Sequence, residues 1–555
     1  MEESIEQIDV VVIGSGGGGM TAALVAKHAG LDVIILEKSN YYGGSTALSG
    51  GGIWVPNNHL LRKAKIQDSA DKARSYLDSI IGDVVSSERK EAYVEYSPKM
   101  IKWLETYAGL QFISVPWYSD YHPDKPGGLA EGRCLEVKPF NGKKLKNDLK
   151  YLNPSPFKIP LSMAFTISEY HDLGMFMSTW RGKFTALKVG FKAILNLLLR
   201  RKLLTMGQGL IGRLRESLID ADIPLYLSSP MVDLIAEKGR IISVVFQNNN
   251  ELYEIKVKKA VILGAGGFAH NLKMRKEYHP PPVTINWTVA HKDNTGDAIL
   301  AGMKHGAAVD LMDDAWWGPT SINPEGTPFF HVGERGYPGS IMVNKNGKRF
   351  TNESASYVVV VHEMFNKHKI DDSHIPTYFI FDQRFKSHYL FGTTFPNQNF
   401  PRAYYEFEYI IKADTIEELA YKINVNRHNL INTVNQFNEF ARNGKDKDFG
   451  RGENAYDNYY GDPKVKPNNN LAPLKTPPFY AVEFVPGDLG TKGGLLTNEY
   501  GQVLKEDGSI IKGLYAIGNS SASVMGNSYP GPGATIGASM TFGYLAAKHI
   551  SLERK

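Results

Sequence analysis

The chain has 555 residues, of which 42% are hydrophobic and 22% are charged, and its formal net charge at pH 7 is +5. This length predicts two or more structural domains, and the composition is that of a folded globular protein. The small net charge, without a long lysine and arginine tract, argues against nucleic-acid binding, and a single cysteine, Cys134, excludes disulfide frameworks, cysteine zinc sites and CxxC redox pairs.

The first predicted elements are a strand, a glycine-rich turn, a helix and a second strand. IDVVVI, residues 8–13, is a β-branched run suited to a buried parallel strand, and GSGGGG at 14–19 satisfies GxGxxG. MTAALVAKHAG then reads as a helix that stops at Gly30, and LDVIILEKS is a strand whose last acidic residue is Glu37. In such a unit the helix N-terminus faces a pyrophosphate and the acidic residue accepts hydrogen bonds from a ribose. The setting predicts a dinucleotide site, with a structural glycine turn as the alternative.

A second glycine-rich run favours FAD over NAD as the dinucleotide. GGSTALSGGGIW, residues 43–54, closely follows Glu37. A nicotinamide domain has no need of it, whereas the ribityl chain and ring system of a flavin extend past the pyrophosphate and need backbone close by. AVILGAGGF at 260–268 and GLYAIGNSSA at 513–522 are strands ending in glycine turns, and both are expected to return to the same sheet.

Together these segments resemble the succinate dehydrogenase and fumarate reductase flavoprotein superfamily. The resemblance implies an α/β protein, with a discontinuous Rossmann-like FAD-binding domain at 1–290 and 488–555 and an inserted α+β catalytic domain at 291–487. In some members a histidine just after the second Gly-Gly carries the flavin covalently. Here Gly44 is followed by Ser45 and Thr46, so FAD is expected to bind non-covalently.

The glycine turns and the resemblance also predict which residues contact FAD. In the superfamily, backbone at a strand end in a returning segment often meets the adenine, and Val232 in SSPMVDLI is the expected residue. The expected contacts are Gly14, Ser15, Gly16, Gly17, Gly18, Glu37, Lys38, Ser39, Gly44, Ser45, Thr46, Ser49, Gly50, Gly51, Gly52, Val232, Ala265, Gly266, Asn294, Gly518, Asn519, Thr535 and Ile536. Nearby, Asp297 in NTGDA is expected to cap a helix.

Three further motifs narrow the resemblance. NESASY ends at Tyr357, GDLGTKGG begins at Gly487, and SYPGPGATIG surrounds Tyr529 and Gly533. With these, the chain resembles 3-ketosteroid Δ1-dehydrogenases along nearly its whole length, most poorly between about residues 160 and 205. The family's ketone-binding tyrosine and glycine fall on Tyr529 and Gly533, its proton-abstracting tyrosine on Tyr357, and its supporting tyrosine on Tyr121, with Tyr118 as the alternative.

The resemblance implies removal of hydrogens from C1 and C2 of a 3-ketosteroid in steroid degradation. Tyr357 would take the C2 proton, flavin N5 would accept the C1 hydride, and Tyr529 with the Gly533 amide would polarise the C3 ketone. Free tyrosine has a pKa near 10, so a hydrogen bond from Tyr121 is expected to help Tyr357 ionise. The alternative for each residue is simple packing, because the chain has 29 tyrosines, and NESASY could merely end a helix.

A basic amphipathic insertion spans about residues 173–205. Between 173 and 215 there is no acidic residue, and apolar residues recur at helical spacing at Phe184, Leu187, Phe191, Ile194, Leu195 and Leu198. The helix could pack on the protein's own core. The slightly favoured hypothesis is an interfacial helix at 180–204 on anionic lipid, which would place the protein in the cytoplasm at the inner face of the cell membrane.

Other functions remain open at this stage. A ketosteroid Δ4-dehydrogenase or a fumarate or enoate reductase-like enzyme would share the fold, and a non-catalytic flavin or lipid carrier is a rival of another class. An external electron acceptor is expected, for which a quinone fits and NAD is not required. No metal ligands, signal peptide or spanning helix are predicted.

Overall fold

The computed structural model describes residues 7–155 and 163–553, which form a mixed α/β structure. The strands are β1 (Gln7–Ile13), β2 (Val33–Leu36), β3 (Ile53–Trp54), β4 (Phe112–Ser114), β5 (Cys134–Val137), β6 (Phe140–Asn141), β7 (Leu203–Leu204), β8 (Leu225–Tyr226), β9 (Met231–Glu237), β10 (Arg240–Asn248), β11 (Glu251–Leu263), β12 (Val309–Asp310), β13 (Ala315–Ile322), β14 (Pro328–Phe330), β15 (Ser340–Val343), β16 (Thr377–Asp382), β17 (Ile411–Ala413), β18 (Phe479–Thr491), β19 (Gly494–Leu495), β20 (Gln502–Leu504) and β21 (Ile510–Ala516).

Helices occur throughout the chain. The α-helices are α1 (Gly17–His28), α2 (Gly44–Leu48), α3 (His59–Lys63), α4 (Ala70–Ile81), α5 (Ser87–Tyr107), α6 (Ile167–Gly174), α7 (Trp180–Leu198), α8 (Met206–Asp220), α9 (Leu272–Tyr278), α10 (Asp297–Lys304), α11 (Tyr357–Asp371), α12 (Gln383–His388), α13 (Arg402–Glu406), α14 (Ile416–Lys422), α15 (Arg427–Asn443), α16 (Ala455–Tyr459) and α17 (Ala534–Leu552). Short 3₁₀ segments are Gly82–Val84, Gly142–Tyr151, Glu334–Gly336 and Gly518–Ser520.

The first large sheet contains the predicted nucleotide-binding strands. Its order is β20-β21-β10-β11-β1-β2-β8, with β9 paired to β10, and β1 runs parallel to both β2 and β11. Because Val10 and Val12 pack among α1 and α17 while Val11 and Ile13 pack towards β10 and α10, both faces of the strand are covered, as its unbroken apolar run predicts. The return of β11 and β21 to this sheet, side by side and parallel, is confirmed.

The second large sheet lies in the inserted part of the chain. Its order is β14-β13-β18-β16-β15, with β17 also paired to β18, and an aromatic core that includes Phe379, Phe381 and Phe484 covers one face. β18 is continuous from Phe479 to Thr491, so it runs through residue 488, where the sequence analysis places a domain boundary.

The basic insertion forms α7, as its periodicity predicts, but its apolar stripe faces outward. Phe184, Leu187 and Phe191 are 70%, 75% and 68% exposed. The helix packs on the protein through its opposite side, where Thr185, Val189 and Ala193 are buried. The helix therefore packs on the protein's own core, as the alternative to lipid binding expects, but not through its apolar stripe. Within residues 7–155 and 163–553, the helices include none with the length and apolar character needed to cross a membrane.

Candidate active site

Three tyrosines from distant parts of the chain meet in one buried cluster. Tyr121 comes from the loop between β4 and β5, Tyr357 is the first residue of α11, and Tyr529 lies in the loop before α17. The hydroxyl oxygens of Tyr121 and Tyr357 are 3.1 Å apart. The ring of Tyr529 lies 5.0 Å from that of Tyr121 and 5.4 Å from that of Tyr357, centroid to centroid. NESASY therefore opens a helix instead of ending one.

The loop carrying Tyr121 is held against the loop carrying Tyr529. The Tyr121 backbone N–H donates to the Pro530 carbonyl oxygen at 2.9 Å, and the Tyr76 hydroxyl donates to the same oxygen at 2.6 Å. The neighbouring Asp120 accepts from the Trp54 indole at 2.7 Å and pairs with Arg133 at 2.7 Å. Because Asp120 and Arg133 are almost fully buried, this pairing fixes the path of the Tyr121 loop.

Gly533 lies where a side chain cannot be accommodated. It precedes α17 as its N-cap with φ 90, in the left-handed region. A Cβ there would come closer than 3.0 Å to the carbonyl group of Gly52 and to the nitrogen of Ile53. Burial raises the pKa of the Tyr529 phenol, and the Gly533 backbone N–H opposes that shift, so the amide and the phenol converge. The Thr535 hydroxyl donates to the Tyr529 oxygen at 3.2 Å.

Burial keeps the phenols protonated at neutral pH. It raises the pKa values of Tyr121 and Tyr357 well above 10, and that of Tyr529 is raised for the same reason. The hydrogen bond from Tyr121 acts in the other direction and lowers the pKa of Tyr357, in the sense that the sequence analysis expects. Burial outweighs it, so Tyr121 moderates a pKa that stays above its ordinary value.

The first glycine loop has the form of a phosphate-binding turn. Gly14 has φ 99, and a Cβ on Gly18 would come closer than 3.0 Å to Ser539 of α17. The N-cap residue of α1 is Gly16, which has no side chain to accept a hydrogen bond from the first turn. In that turn the Gly17 N–H donates to the Thr46 hydroxyl at 3.2 Å. Remaining N–H groups at the start of α1 can therefore meet an anion, which fits the pyrophosphate of FAD.

The acidic residue after β2 is tied to this loop. Glu37 accepts from the Ser15 backbone N–H at 2.9 Å and from the Ser15 hydroxyl at 2.6 Å, and its other oxygen accepts from Ser39 N–H. The oxygen that accepts from Ser39 keeps a second lone pair, so a ribose contact remains compatible with these bonds. The neighbouring Lys38 pairs with Asp297 at 2.8 Å.

Asp297 does not act as the expected helix cap. The N-cap of α10 is Gly296, with φ 81 and no side-chain bond, and Asp297 is the first residue inside the helix. Its carboxylate instead accepts from Lys38 and from the Thr295 hydroxyl. A carboxylate in the first turn still interacts favourably with the helix dipole.

The second glycine run and the later segments meet the first loop. Asn294 donates to the Ser45 hydroxyl at 3.1 Å, and Gly266, next to Ala265, has φ 81 directly beside Asn294. Cβ positions at Gly44 and Gly50 meet no atom within 4 Å, whereas Gly51 is crowded by Met206 and Gly52 is close to Cys134. The open positions at Gly44 and Gly50 give a ligand room to approach the backbone, which fits a flavin.

Other expected cofactor residues lie at the end of β21, at the start of α17 and on β9. Gly518 and Asn519 follow β21, Thr535 and Ile536 lie in the first turn of α17, and the Asn519 side chain accepts from the Trp316 indole at 3.2 Å. Val232 lies on β9 with its side chain exposed. Its contact with adenine stays a prediction, as do the other individual cofactor contacts, including that of Ser49.

Sequence reasoning missed Trp316, which contacts this cluster, and the hydroxyl contact between Tyr118 and Tyr460 beside it. The Trp316 ring meets that of Tyr529 edge-on with centroids 4.7 Å apart, and the Tyr118 hydroxyl lies 2.6 Å from that of Tyr460. Trp316 and Trp317 are adjacent on β13, and no spacing rule in the sequence indicates which of the two faces the site. Tyr118 appeared only as an alternative to Tyr121, and the structure places both rings side by side, 6.4 Å apart.

Comparisons with known proteins agree with this geometry. A family model described as an FAD binding domain matches residues 9–536. A 3-oxosteroid 1-dehydrogenase from Mycobacterium tuberculosis is 46% identical, covering 99% of both chains. A 4-oxocyclohexanecarboxylate 2-dehydrogenase from Sinomonas cyclohexanicum is 35% identical over 98% of this chain and 92% of its own. The crystal structure of 3-ketosteroid Δ1-dehydrogenase from Sterolibacterium denitrificans with 1,4-androstadiene-3,17-dione superposes with a TM-score of 0.95 at 37% identity, covering 98% of this chain and 99% of that one.

Proposed function

This chain belongs to the FAD-binding 3-oxosteroid 1-dehydrogenase family, and we propose that its buried tyrosines carry out the 1,2-desaturation of a 3-ketosteroid. The protein is an FAD-dependent oxidoreductase by this membership. The observation that carries the proposal is the convergence of Tyr121, Tyr357, Tyr529 and the Gly533 amide beside glycine loops that fit FAD.

Tyr529 and Gly533 hold the ketone. Both present a hydrogen-bond donor to one place, the phenol O–H and the backbone N–H, and the Thr535 hydroxyl occupies one lone pair of the Tyr529 oxygen. Loss of the C2 proton places negative charge on the C3 oxygen, and two fixed donors stabilise that charge. Removing one such donor typically raises the barrier by about 3–4 kcal/mol.

Tyr357 receives the C2 proton and Tyr121 assists it. Tyr357 accepts the proton as its phenolate: burial raises the pKa of Tyr357 and disfavours that form, whereas the hydrogen bond donated by Tyr121, 3.1 Å away, lowers the pKa and stabilises it. When bound, FAD supplies the two-electron acceptor for the hydrogen that leaves C1. The buried position of the cluster excludes water that would compete for these donors.

Product analysis tests this function. Purified holoprotein is incubated with androst-4-ene-3,17-dione and an artificial electron acceptor, and the products are separated by chromatography and identified by mass spectrometry and NMR. A 1,4-diene is the expected product. A double bond elsewhere in the ring system would favour a dehydrogenase of the same fold that desaturates a different position. If the flavin does not bleach when steroid is added anaerobically, a non-catalytic carrier would be favoured.

The outward face of α7 supports peripheral binding to an anionic membrane. Phe184, Leu187, Phe191 and Leu198 are at least two-thirds exposed, and Lys183 and Arg201 are exposed nearby. An apolar steroid partitions into lipid, so docking at the inner face of the cell membrane would shorten its route, and a membrane quinone would be an accessible electron acceptor. These contacts are proposals.

Vesicle co-sedimentation tests the membrane contact. Phosphatidylcholine vesicles with phosphatidylglycerol should retain the protein, and the variant Leu187→Asp/Phe191→Asp should stay in the supernatant. Tyr421→Asp, which changes an aromatic side chain that is 86% exposed on α14, is the matched control and should still pellet. Equal pelleting of both variants would reject α7 as the contact.

A further inference from the structure

A buried lysine supports the loop that carries Tyr529. Lys492 directly follows β18, and its side chain is fully buried. Its Nζ donates to Asp314 Oδ2 at 2.9 Å and to the Ser528 carbonyl oxygen at 3.1 Å. An ammonium group removed from water is costly unless it is paired, so both acceptors constrain this side chain. Ser528 immediately precedes Tyr529, and the lysine therefore holds the backbone one residue from the phenol.

The same lysine reaches Tyr529 through an aromatic ring. Its Nζ lies 5.0 Å from the centroid of the Trp316 ring, within the range of a cation–π contact. Trp316 in turn meets the Tyr529 ring edge-on and donates its indole N–H to Asn519. Lys492 thus supports Tyr529 both at its backbone and at its ring.

Asp314 extends the support to the helix of Tyr357. Its Oδ1 accepts from His362 Nε2 at 2.9 Å, and His362 lies on α11, the helix that begins at Tyr357. Burial alone would raise the pKa of Asp314, but Lys492 and His362 together lower it to about 2, so the carboxylate is charged. One carboxylate therefore joins the Tyr529 loop to the Tyr357 helix.

We propose that Lys492, through its ion pair with Asp314, is a positioning residue that fixes Tyr529 relative to Tyr357. It touches neither the reacting atoms of the proposed reaction nor the Tyr529 hydroxyl. This inference rests on the proposed function, because it assigns Lys492 to the placement of the phenol that holds the ketone.

A double-mutant cycle separates positioning from general stability. Lys492→Met removes the ammonium and keeps an apolar side chain, and it is measured alone and together with Tyr529→Phe, using androst-4-ene-3,17-dione. A displacement of the phenol should lower kcat/KM about 100-fold in the otherwise native protein. In the Tyr529→Phe background, Lys492→Met should lower kcat/KM less than about 3-fold, because the side chain that Lys492 positions has already lost its hydroxyl.

Lys386→Met is the matched control. Lys386 is also a buried lysine beside aromatic rings, Phe400 and Tyr480, and has no described contact with Tyr529 or Tyr357. Its replacement should change kcat/KM less than about 2-fold in either background, as expected for independent sites. Flavin content and thermal unfolding are recorded for each variant.

Each outcome decides the question. Equal losses from Lys492→Met in both backgrounds would overturn the positioning role and indicate general loss of structure. If Lys492→Met does not yield folded flavoprotein, the isosteric Asp314→Asn is measured in the same two backgrounds, with the same non-additivity expected. An unimpaired Tyr529→Phe single variant would refute the proposed ketone contact, whereas an impaired one with additive effects refutes the positioning role alone.

Discussion

Replacing Gly533 by alanine should abolish most activity through geometry alone. The new Cβ would come closer than 3.0 Å to the Gly52 carbonyl carbon and oxygen and to Ile53 N, all of them backbone atoms that cannot swing away. The left-handed φ of 90 adds about 1–2 kcal/mol of strain for any residue with a Cβ. The start of α17 must move, and with it the amide that faces the Tyr529 oxygen.

The magnitude follows from the role of that amide. A lost oxyanion donor costs about 10²–10³ in kcat, and a displacement of 1 Å can cost about 10²-fold, so kcat for a 3-ketosteroid should fall at least about 100-fold. Overpacking should also lower the free energy of unfolding by about 1–3 kcal/mol. Steady-state kinetics on protein of known FAD content, with thermal unfolding in parallel, measure both effects.

Gly306→Ala separates strain from collision. Gly306 has φ 82, close to that of Gly533, and a Cβ there meets no atom within 4 Å. This control should carry the backbone strain with kcat within about 2-fold of the parent protein, since it lies apart from the tyrosines. If Gly533→Ala behaves like Gly306→Ala, the amide is not part of the site and the mechanism proposed for the ketone is wrong.

Other variants test the remaining roles. Tyr357→Phe should bind steroid with nearly unchanged affinity yet fail to bleach the flavin anaerobically, and rapid bleaching would exclude it as the base. The kcat/KM of the parent protein should rise with pH and level off above the pKa of Tyr357, because only the ionised phenol is a ready base and burial raises that pKa. Tyr121→Phe removes a hydrogen bond that lowers the pKa of Tyr357, so the rise in kcat/KM should move to higher pH. A pH profile that does not move would show that Tyr121 has another role. Gly18→Ala should reduce FAD content on purification, because its Cβ collides with Ser539 of α17. Gly30→Ala, which follows the same helix and whose Cβ meets no atom within 4 Å, should retain flavin.

Local order along the chain was predictable because its causes are local. The strand, glycine turn and helix at residues 8–30 follow from β-branched residues, glycines and a helix-forming run, and β1 and α1 lie there. The pairing of β11 and β21 beside β1 was also expected, since apolar runs ending in glycine turns are typical of parallel strands at such a sheet.

Long-range contacts were harder to foresee. Tyr121 and Tyr357 were named from motif resemblance, and no periodicity in 29 tyrosines indicates that these two share a hydrogen bond. Asp297 follows a glycine in NTGDA, which suits a cap, but the ammonium of Lys38 comes from a distant loop and captures the carboxylate. Burial, which controls the pKa of Tyr357, is a property of the packed cluster and has no counterpart in the order of residues.

The continuity of β18 has a practical consequence for dissecting this protein. Residues 479–485 of the strand pair with β16, β17 and part of β13, and its last residues, around Asp488, bond to Thr288 and Arg275 near the first sheet. A recombinant fragment cut at 291 and 487 would lose these last residues and leave the end of β13 as an unpaired edge. Such a fragment should aggregate, so the inserted segment is a poor candidate for separate expression, grafting or exchange between relatives.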